Sequence, residues 1–346
     1  MDTTDVLKRL IAREDLDADQ TQALFAALMD NQLEPPMMAA ILTALASKGE
    51  TVDELVGAAQ AMRARVTPVG VPAGVTAIDT CGTGGDGKPV LNVSSTVAIV
   101  AAAAGATVAK HGNRSNVRPS GSAEALAALG INLDADVPEL EHCLRECRVA
   151  FLYAIRLHPA MKHAAPVRRA LGVRTVFNLL GPLTNPAGVR RQLLGVNRSE
   201  LVETMVEALR RLGAERAMVV HGCEGLCDLS IAGPSRVGRW DGQNVQFERV
   251  ECDVVEAAQA DLRTLYVGSP AESAATIRGV LDGEPGPARE MVVFNTAAAL
   301  WVAGLAEDWA GGAALARGAI DSGAAGETLA RWAECSRSGG GTGKAG

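Results

Sequence analysis

The chain has 346 residues, 48% of them hydrophobic and 21% charged, which supplies one or two packed cores and excludes a disordered composition. Its net charge of −7 comes without a basic block, so broad nucleic-acid binding is not indicated, and no apolar run reaches the ~18 residues of a membrane span. Seven scattered cysteines (81, 143, 147, 223, 227, 252 and 335) and an acidic start, Met1-Asp-Thr-Thr-Asp5, give the expectation of a reduced, cytoplasmic setting.

Residues 1–65 read as all-helical. Leu7, Leu10 and Ile11, then Leu24, Phe25, Leu28 and Met29, recur at helical spacing. Thr21 or Asp19 is the expected cap of the second helix, and Pro35-Pro36 opens a third. Gly49 ends that helix and Thr51-Val-Asp-Glu54 caps the next. The turn-rich stretch 67–74 is the expected domain boundary. Beyond it, strands are predicted at 76–79, 107–110, 149–153, 216–220, 235–240 and 265–268. Helices are predicted at 97–104, 123–129, 137–146, 198–212, 271–281, 287–303 and 313–322. Such alternation implies an α/β sheet. The glycine-rich end from 336 reads as unstructured.

Asp79-Thr-Cys-Gly-Thr-Gly-Gly-Asp-Gly87 lies between the first predicted strand and a helix, where free N–H groups face an anion. Three phosphate readings compete. Gly82, Gly84 and Gly87 fit G-x-G-x-x-G, but no acid follows about 20 residues on to hold a ribose. Gly82 to Lys88 fits G-x-x-x-x-G-K, but Pro89 stands where a P-loop needs Ser or Thr. The third reading is a sugar diphosphate, with Asn92, Ser94 and Ser95 as a second row of donors and Lys110 supplying positive charge. A plain structural turn is the bland alternative, and a solvated strand end is the bland reading of Lys110. Cys143/Cys147 and Cys223/Cys227 sit four apart; buried thiols fit that spacing better than zinc ligands do.

Cys81-Gly-Thr-Gly-Gly-Asp-Gly87, Lys110-His-Gly-Asn-Arg114, Ser120-Gly-Ser122, His158-Pro-Ala-Met-Lys162 and Val176-Phe-Asn-Leu-Leu-Gly-Pro-Leu-Thr-Asn-Pro186 together resemble the anthranilate phosphoribosyltransferases, relatives of the pyrimidine nucleoside phosphorylases. The resemblance runs over roughly residues 5 to 333. It implies a small all-helical domain (1–70 with 164–188) plus a larger α/β domain (75–163 with 189–335) whose central, mostly parallel sheet is flanked by helices. It also implies a homodimer through the helical domains, Mg2+ as cofactor, and transfer of the phosphoribosyl group of 5-phosphoribosyl 1-diphosphate to anthranilate. No general base is expected, because a weakly basic aromatic amine meets a sugar of oxocarbenium character.

By the same resemblance, the ribosyl diphosphate would meet Gly82, Gly85, Asp86, Val90, Asn92, Val93, Ser94, Ser95, Lys110, His111, Gly112, Asn113, Arg114, Ser115, Asn116, Val117, Arg118 and Ser122, with residues 111–118 as a lid. Anthranilate would meet Gly82, Asn113, His158, Arg168 and Pro182, with Arg168 clamping its carboxylate and neighbouring Arg169 as the alternative. Ser94 and Asp228 would hold magnesium. Cys227 replaces an acid common in the family, and a thiol suits this hard ion poorly, which leaves one magnesium only, a site rebuilt from Asp228 and water, or reduced activity, with the rebuilt site favoured. Val90 and Pro119 also depart from the family pattern. The rival functions are a pyrimidine nucleoside phosphorylase, whose lysine–methionine–serine–glycine segment is not evident, and a non-catalytic nucleic-acid-binding paralogue, which should show a basic groove and a degraded loop.

Overall fold

Helices α1 (Thr3–Ile11), α2 (Ala18–Met29), α3 (Pro35–Lys48) and α4 (Val52–Arg63) open the chain. The coordinates are a computed structural model and describe residues 2–115 and 117–338. The cap of α2 is Asp17, not Thr21 or Asp19: Asp17 accepts from Gln20 N–H while the Gln20 side chain returns to the Asp17 N–H. Thr21 turns inward and its hydroxyl donates to the Asp17 carbonyl. Thr51 and Glu54 form the expected capping box of α4, and Pro35 opens α3. Gly57 lets α4 touch α2, since a Cβ there would stand 2.1 Å from the Ala18 carbonyl oxygen.

The larger part follows in the order β1 (Ala77–Gly82), α5 (Val93–Ala103), β2 (Thr107–Gly112), α6 (Ser122–Ala128), α7 (Val137–Glu146), β3 (Val149–Tyr153), α8 (Ala154–Leu157), α9 (Met161–Leu171), α10 (Phe177–Leu183), β4 (Arg191–Gly195), α11 (Leu201–Arg211), β5 (Arg216–His221), β6 (Ser235–Trp240), β7 (Val245–Val250), α12 (Pro270–Leu281), α13 (Pro287–Ala303), α14 (Trp309–Asp321) and α15 (Ala324–Cys335). Among the described residues seven strands form one sheet ordered β3-β2-β1-β4-β5-β6-β7; the first five run parallel, and β6 and β7 each pair antiparallel with the strand before. The predicted strand at 265–268 is absent. That stretch follows a short 3-10 turn, Leu262–Leu265, and Tyr266 makes only an isolated bridge to Val90.

Two apolar cores flank the sheet. One holds α5, α7 and α12–α15, with α13 buried on every side from Met291 to Val302, as expected of a helix apolar all round. The other joins α1–α4 to Ala164, Val167, Phe177 and Leu180 of α9 and α10, and to α11 with Leu194 and Val219 of the sheet. After β3 the chain therefore leaves the sheet, packs α9 and α10 against the first four helices, and re-enters as β4 on the other side of β1. The order reverses at β1/β4, and the crevice beyond the carboxyl ends of those strands is where doubly wound sheets bind ligands. Of the expected tail, Ser336 still accepts from Asn132 N–H and Arg337 donates to the Gly130 carbonyl, while 339–346 lie outside the described residues.

Candidate active site

The glycine loop leaves β1 at this switch point. Gly82 pairs with Gly195 of β4, and Thr83 N–H bonds the Gly195 carbonyl at 2.8 Å. Gly84, Gly85 and Gly87 all take positive φ, +59°, +79° and +65°, which L side chains rarely adopt. The loop carbonyls are spoken for: Arg174 donates to Gly84 O at 2.9 Å and to Thr83 O at 3.3 Å, and Asn197 donates to Gly85 O at 3.3 Å. The N–H groups of Gly84, Gly85, Asp86 and Gly87 have no acceptor among the described residues. A row of free amides in left-handed backbone can cradle an anion.

Below it, Lys110 is 1% exposed, so the solvated strand end is not what its side chain makes. Its ammonium donates to Thr80 O at 2.7 Å and to Ser94 Oγ at 3.1 Å. Two of its three protons are thus placed, with no acceptor for the third among the described residues. Burial pushes its pKa down and the nearby Asp79 opposes this. Asp79 itself accepts from His111 N–H at 3.0 Å and from the Asn185 amide at 2.8 Å, tying β2 and the Asn-Pro turn to β1. Ser95 Oγ is buried without a partner.

Several expected contacts are placed differently. Val90 and Val93 are buried in the core, so their side chains are not presented to a ligand. The Asn92 amide is used internally: it donates to Ser120 O and accepts from Ser120 Oγ and Ser273 Oγ. It therefore fixes the Ser-Gly-Ser turn. Asp86 is gripped by Arg118 through two parallel bonds and accepts from Cys227 N–H at 3.2 Å. Ser115 Oγ accepts from Val117 and Arg118 N–H, and Arg114 lies over the Tyr153 ring. Asn113 and Val117 are exposed, and Asn116 lies outside the described residues. Gly112 passes the Phe151 ring, where a Cβ would meet it at 2.6 Å; Ser122 starts α6 beside it.

On the helical side, His111 Nδ1 faces Gly181 O at 2.9 Å and its Nε2 lies 3.1 Å from His158 Nε2. A carbonyl needs a donor, so His111 carries its proton on Nδ1, and His158 must donate from Nε2. Burial lowers both pKa values, to about 3 for His111, where His158 adds, and to about 4 for His158. Next to Gly181, the Pro182 carbonyl accepts from Gln192. Arg168 stacks on Phe177 at 5.1 Å, and no carboxylate meets it among the described residues; burial lowers its pKa. Arg169 is exposed.

Asp228 keeps part of its surface open and has no side-chain hydrogen bond among the described residues. Burial raises its pKa to about 6; Asp86 adds to this, and Arg118 and Lys110 oppose it. Cys227 packs against Gly82 with its thiol toward Thr83 and the Gly84 carbonyl; burial, then Asp86 and Asp228, push its pKa up, so it stays protonated. Among the described residues no three His, Cys, Asp or Glu side chains converge as a metal cage. One carboxylate and the Ser94 hydroxyl nevertheless suit a magnesium ion that arrives on a diphosphate and keeps its waters. Sequence reasoning missed Asp79, Arg174, Asn185 and Asn197. Asn185 lay in a quoted motif, and Arg174 stood two residues before it, but nothing in either position announced a partner.

A helical bundle leading into a mostly parallel sheet, with a row of free amides at its switch point, is the two-part architecture of the glycosyl transferase family. The chain matches the helical bundle domain of the glycosyl transferase family over residues 4–66 and its a/b domain over 74–326. It is 49% identical to the anthranilate phosphoribosyltransferase of Rhodospirillum rubrum over 91% of this chain and 90% of that one. The crystal structure of anthranilate phosphoribosyltransferase from Thermus thermophilus is 41% identical, with a TM-score of 0.90 over 97% of this chain and 100% of that one. The Saccharomyces cerevisiae enzyme in complex with PRPP and Mg is 25% identical, with a TM-score of 0.88 over 96% and 97% of the two chains. The chain belongs to the anthranilate phosphoribosyltransferase family.

Proposed function

We propose that this protein transfers the 5-phosphoribosyl group of 5-phosphoribosyl 1-diphosphate to the amine of anthranilate, releasing pyrophosphate, as a step of tryptophan biosynthesis. The observation that carries the reading is the row of free amides from Gly84 to Gly87 beside the buried Lys110, at the β1/β4 switch point. These groups would hold the leaving diphosphate and stabilise the charge that grows on it as the anomeric bond breaks. Magnesium on that diphosphate, held by Asp228 and Ser94, would supply further charge stabilisation. Arg168, with no carboxylate of its own, is the candidate clamp for the anthranilate carboxylate. His111 and His158, held neutral, would wall the acceptor without repelling the developing cation. Proximity and orientation then do the work of a base.

We further propose that residues 1–70 with 164–188 move as one body against the rest, as the shared core of α1–α4, α9 and α10 supports. The groove between α1 and α3, with Ile11 68% exposed, supports a homodimer contact there. No helix among the described residues is long and apolar enough to cross a membrane. The purified protein with magnesium should quench anthranilate fluorescence only when 5-phosphoribosyl 1-diphosphate is present. Undiminished fluorescence at high enzyme would remove this function.

A further inference from the structure

We propose that Arg174 and Asn197 are positioning residues that aim the glycine-loop amides at the diphosphate, an inference that rests on the sugar-diphosphate reading above. Three consecutive peptide units are held by their carbonyls: Thr83 O and Gly84 O by the Arg174 guanidinium, and Gly85 O by the Asn197 amide. Among the described residues there are no cis peptide bonds. In a trans peptide the N–H points opposite to the C=O. Tying down those three carbonyls therefore turns the N–H groups of Gly84, Gly85 and Asp86 to the other side together, and these are amides left without an acceptor among the described residues.

The two anchors come from different parts of the fold. Arg174 lies in the connection between α9 and α10, on the helical side, and Asn197 follows β4 of the sheet. Gly85 is shaped for this grip, because a Cβ there would stand 1.3 Å from Arg174 Nη1. A side chain at 85 would expel the guanidinium, independently of the strain imposed by the positive φ. The Asn197 Oδ1 is buried with no partner, a cost the chain carries while its nitrogen serves Gly85. Neither residue needs to touch substrate; each fixes the backbone that does. Because Arg174 reaches in from the helical side, cradle formation is also coupled to how that side sits on the sheet.

The test is titration calorimetry of magnesium pyrophosphate into the full chain, with Arg174→Ala, Arg174→Lys and Asn197→Ala alongside. Arg174→Ala should bind about tenfold more weakly or worse, the loss expected when a charged donor is removed. Lys, which offers a point charge in place of a fork, should fall between, and added guanidinium should recover part of the Ala loss. In turnover, KM for the sugar diphosphate should rise while KM for anthranilate holds. Should Arg174→Ala not fold, Asn197→Ala decides the matter. Unchanged pyrophosphate affinity in the folded variants, or equal rises in KM for both substrates, would overturn the proposal. A wild-type chain that binds pyrophosphate but leaves anthranilate untouched would instead sink the assigned reaction.

Discussion

Arg118 bonds Asp86 through Nε at 2.8 Å and Nη2 at 2.9 Å, and so fastens the expected lid to the glycine loop. The carboxylate is fully covered and the guanidinium nearly so, at 0% and 16% exposure. A fork-to-fork pair of this kind fixes geometry as well as charge. Arg118→Ala would leave a buried carboxylate with backbone N–H donors only. We expect it to lower the unfolding free energy by about 2–3 kcal/mol, somewhat under the figure for a fully buried pair because the arginine is partly wetted. Asp86→Asn should cost less, since the freed guanidinium can turn to water. Urea unfolding measures both, and faster tryptic cleavage after Arg114 in Arg118→Ala should accompany the loss. Equal unfolding free energies and an unchanged cleavage rate would mean that the pair does not hold the lid.

The His111–His158 pair sets a pH dependence. Both rings are neutral in the folded chain, with pKa values lowered to about 3 and about 4, chiefly by burial, from the usual 6.5. A histidine depressed in this way contributes stability that is present above pH 6.5 and is lost as pH falls toward the folded value, because only the unfolded chain takes up the proton. Between roughly pH 6 and pH 5 each ring should contribute a slope approaching about 1.4 kcal/mol per pH unit. His158→Gln should therefore flatten the acid limb of stability by about that slope, as read from denaturant midpoints at several pH values. A variant whose acid limb runs parallel to wild type would show the pair to be protonated or solvated.

How much of this was legible beforehand depended on the kind of signal. Elements marked by local chemistry were read closely: the Thr51/Glu54 box, the Pro35 start and the β3 and α13 bounds all stand where periodicity and caps put them. What escaped lacked a local mark. β4 has a polar start and only two large apolar residues, and β7 is an exposed edge strand, so neither reads as buried. α9 and α10 carry Pro166 and Pro182 inside them, and a proline ordinarily argues against a helix. In the site, the glycine loop announced itself through residue type. The bonds that shape it did not, since Arg174 lies 90 positions from Gly84 and only the fold brings them together. Asn92 shows the opposite: its amide chemistry was visible, but not that Ser120 and Ser273 already engage it.

Arg168 should separate the two substrates. It stacks on Phe177 and carries a desolvation cost with no carboxylate to offset it among the described residues. A group held in that way is poised for a carboxylate from outside. Arg168→Ala should raise KM for anthranilate tenfold or more, about the contribution of a bidentate charged pair, with KM for the sugar diphosphate within about twofold of wild type. Thermal stability should hold or rise, because the buried charge is gone. Steady-state kinetics with each substrate varied reads the split. Parallel losses for both would move the clamp elsewhere, with exposed Arg169 the next residue to test.

Cys227 gives the last prediction, because it decides whether the chain can hold magnesium by itself. The thiol is protonated and packed against the Gly84 carbonyl, which leaves Asp228 as the open acid next to it. A single carboxylate holds magnesium weakly, since the ion keeps most of its waters. Magnesium alone should thus shift the melting temperature of the wild type by less than about 1 °C, whereas magnesium with pyrophosphate should shift it by several degrees through linkage. Cys227→Asp would put a third acid beside Asp86 and Asp228. It should melt several degrees lower in chelator, because burial and like charge both oppose its ionisation. Magnesium alone should then recover much of that loss, because two adjacent carboxylates now share the ion. Thermal melts in chelator, in magnesium and in magnesium pyrophosphate check the series. If magnesium alone moves wild type and Cys227→Asp by the same amount, position 227 does not face the metal and the binding turn lies elsewhere.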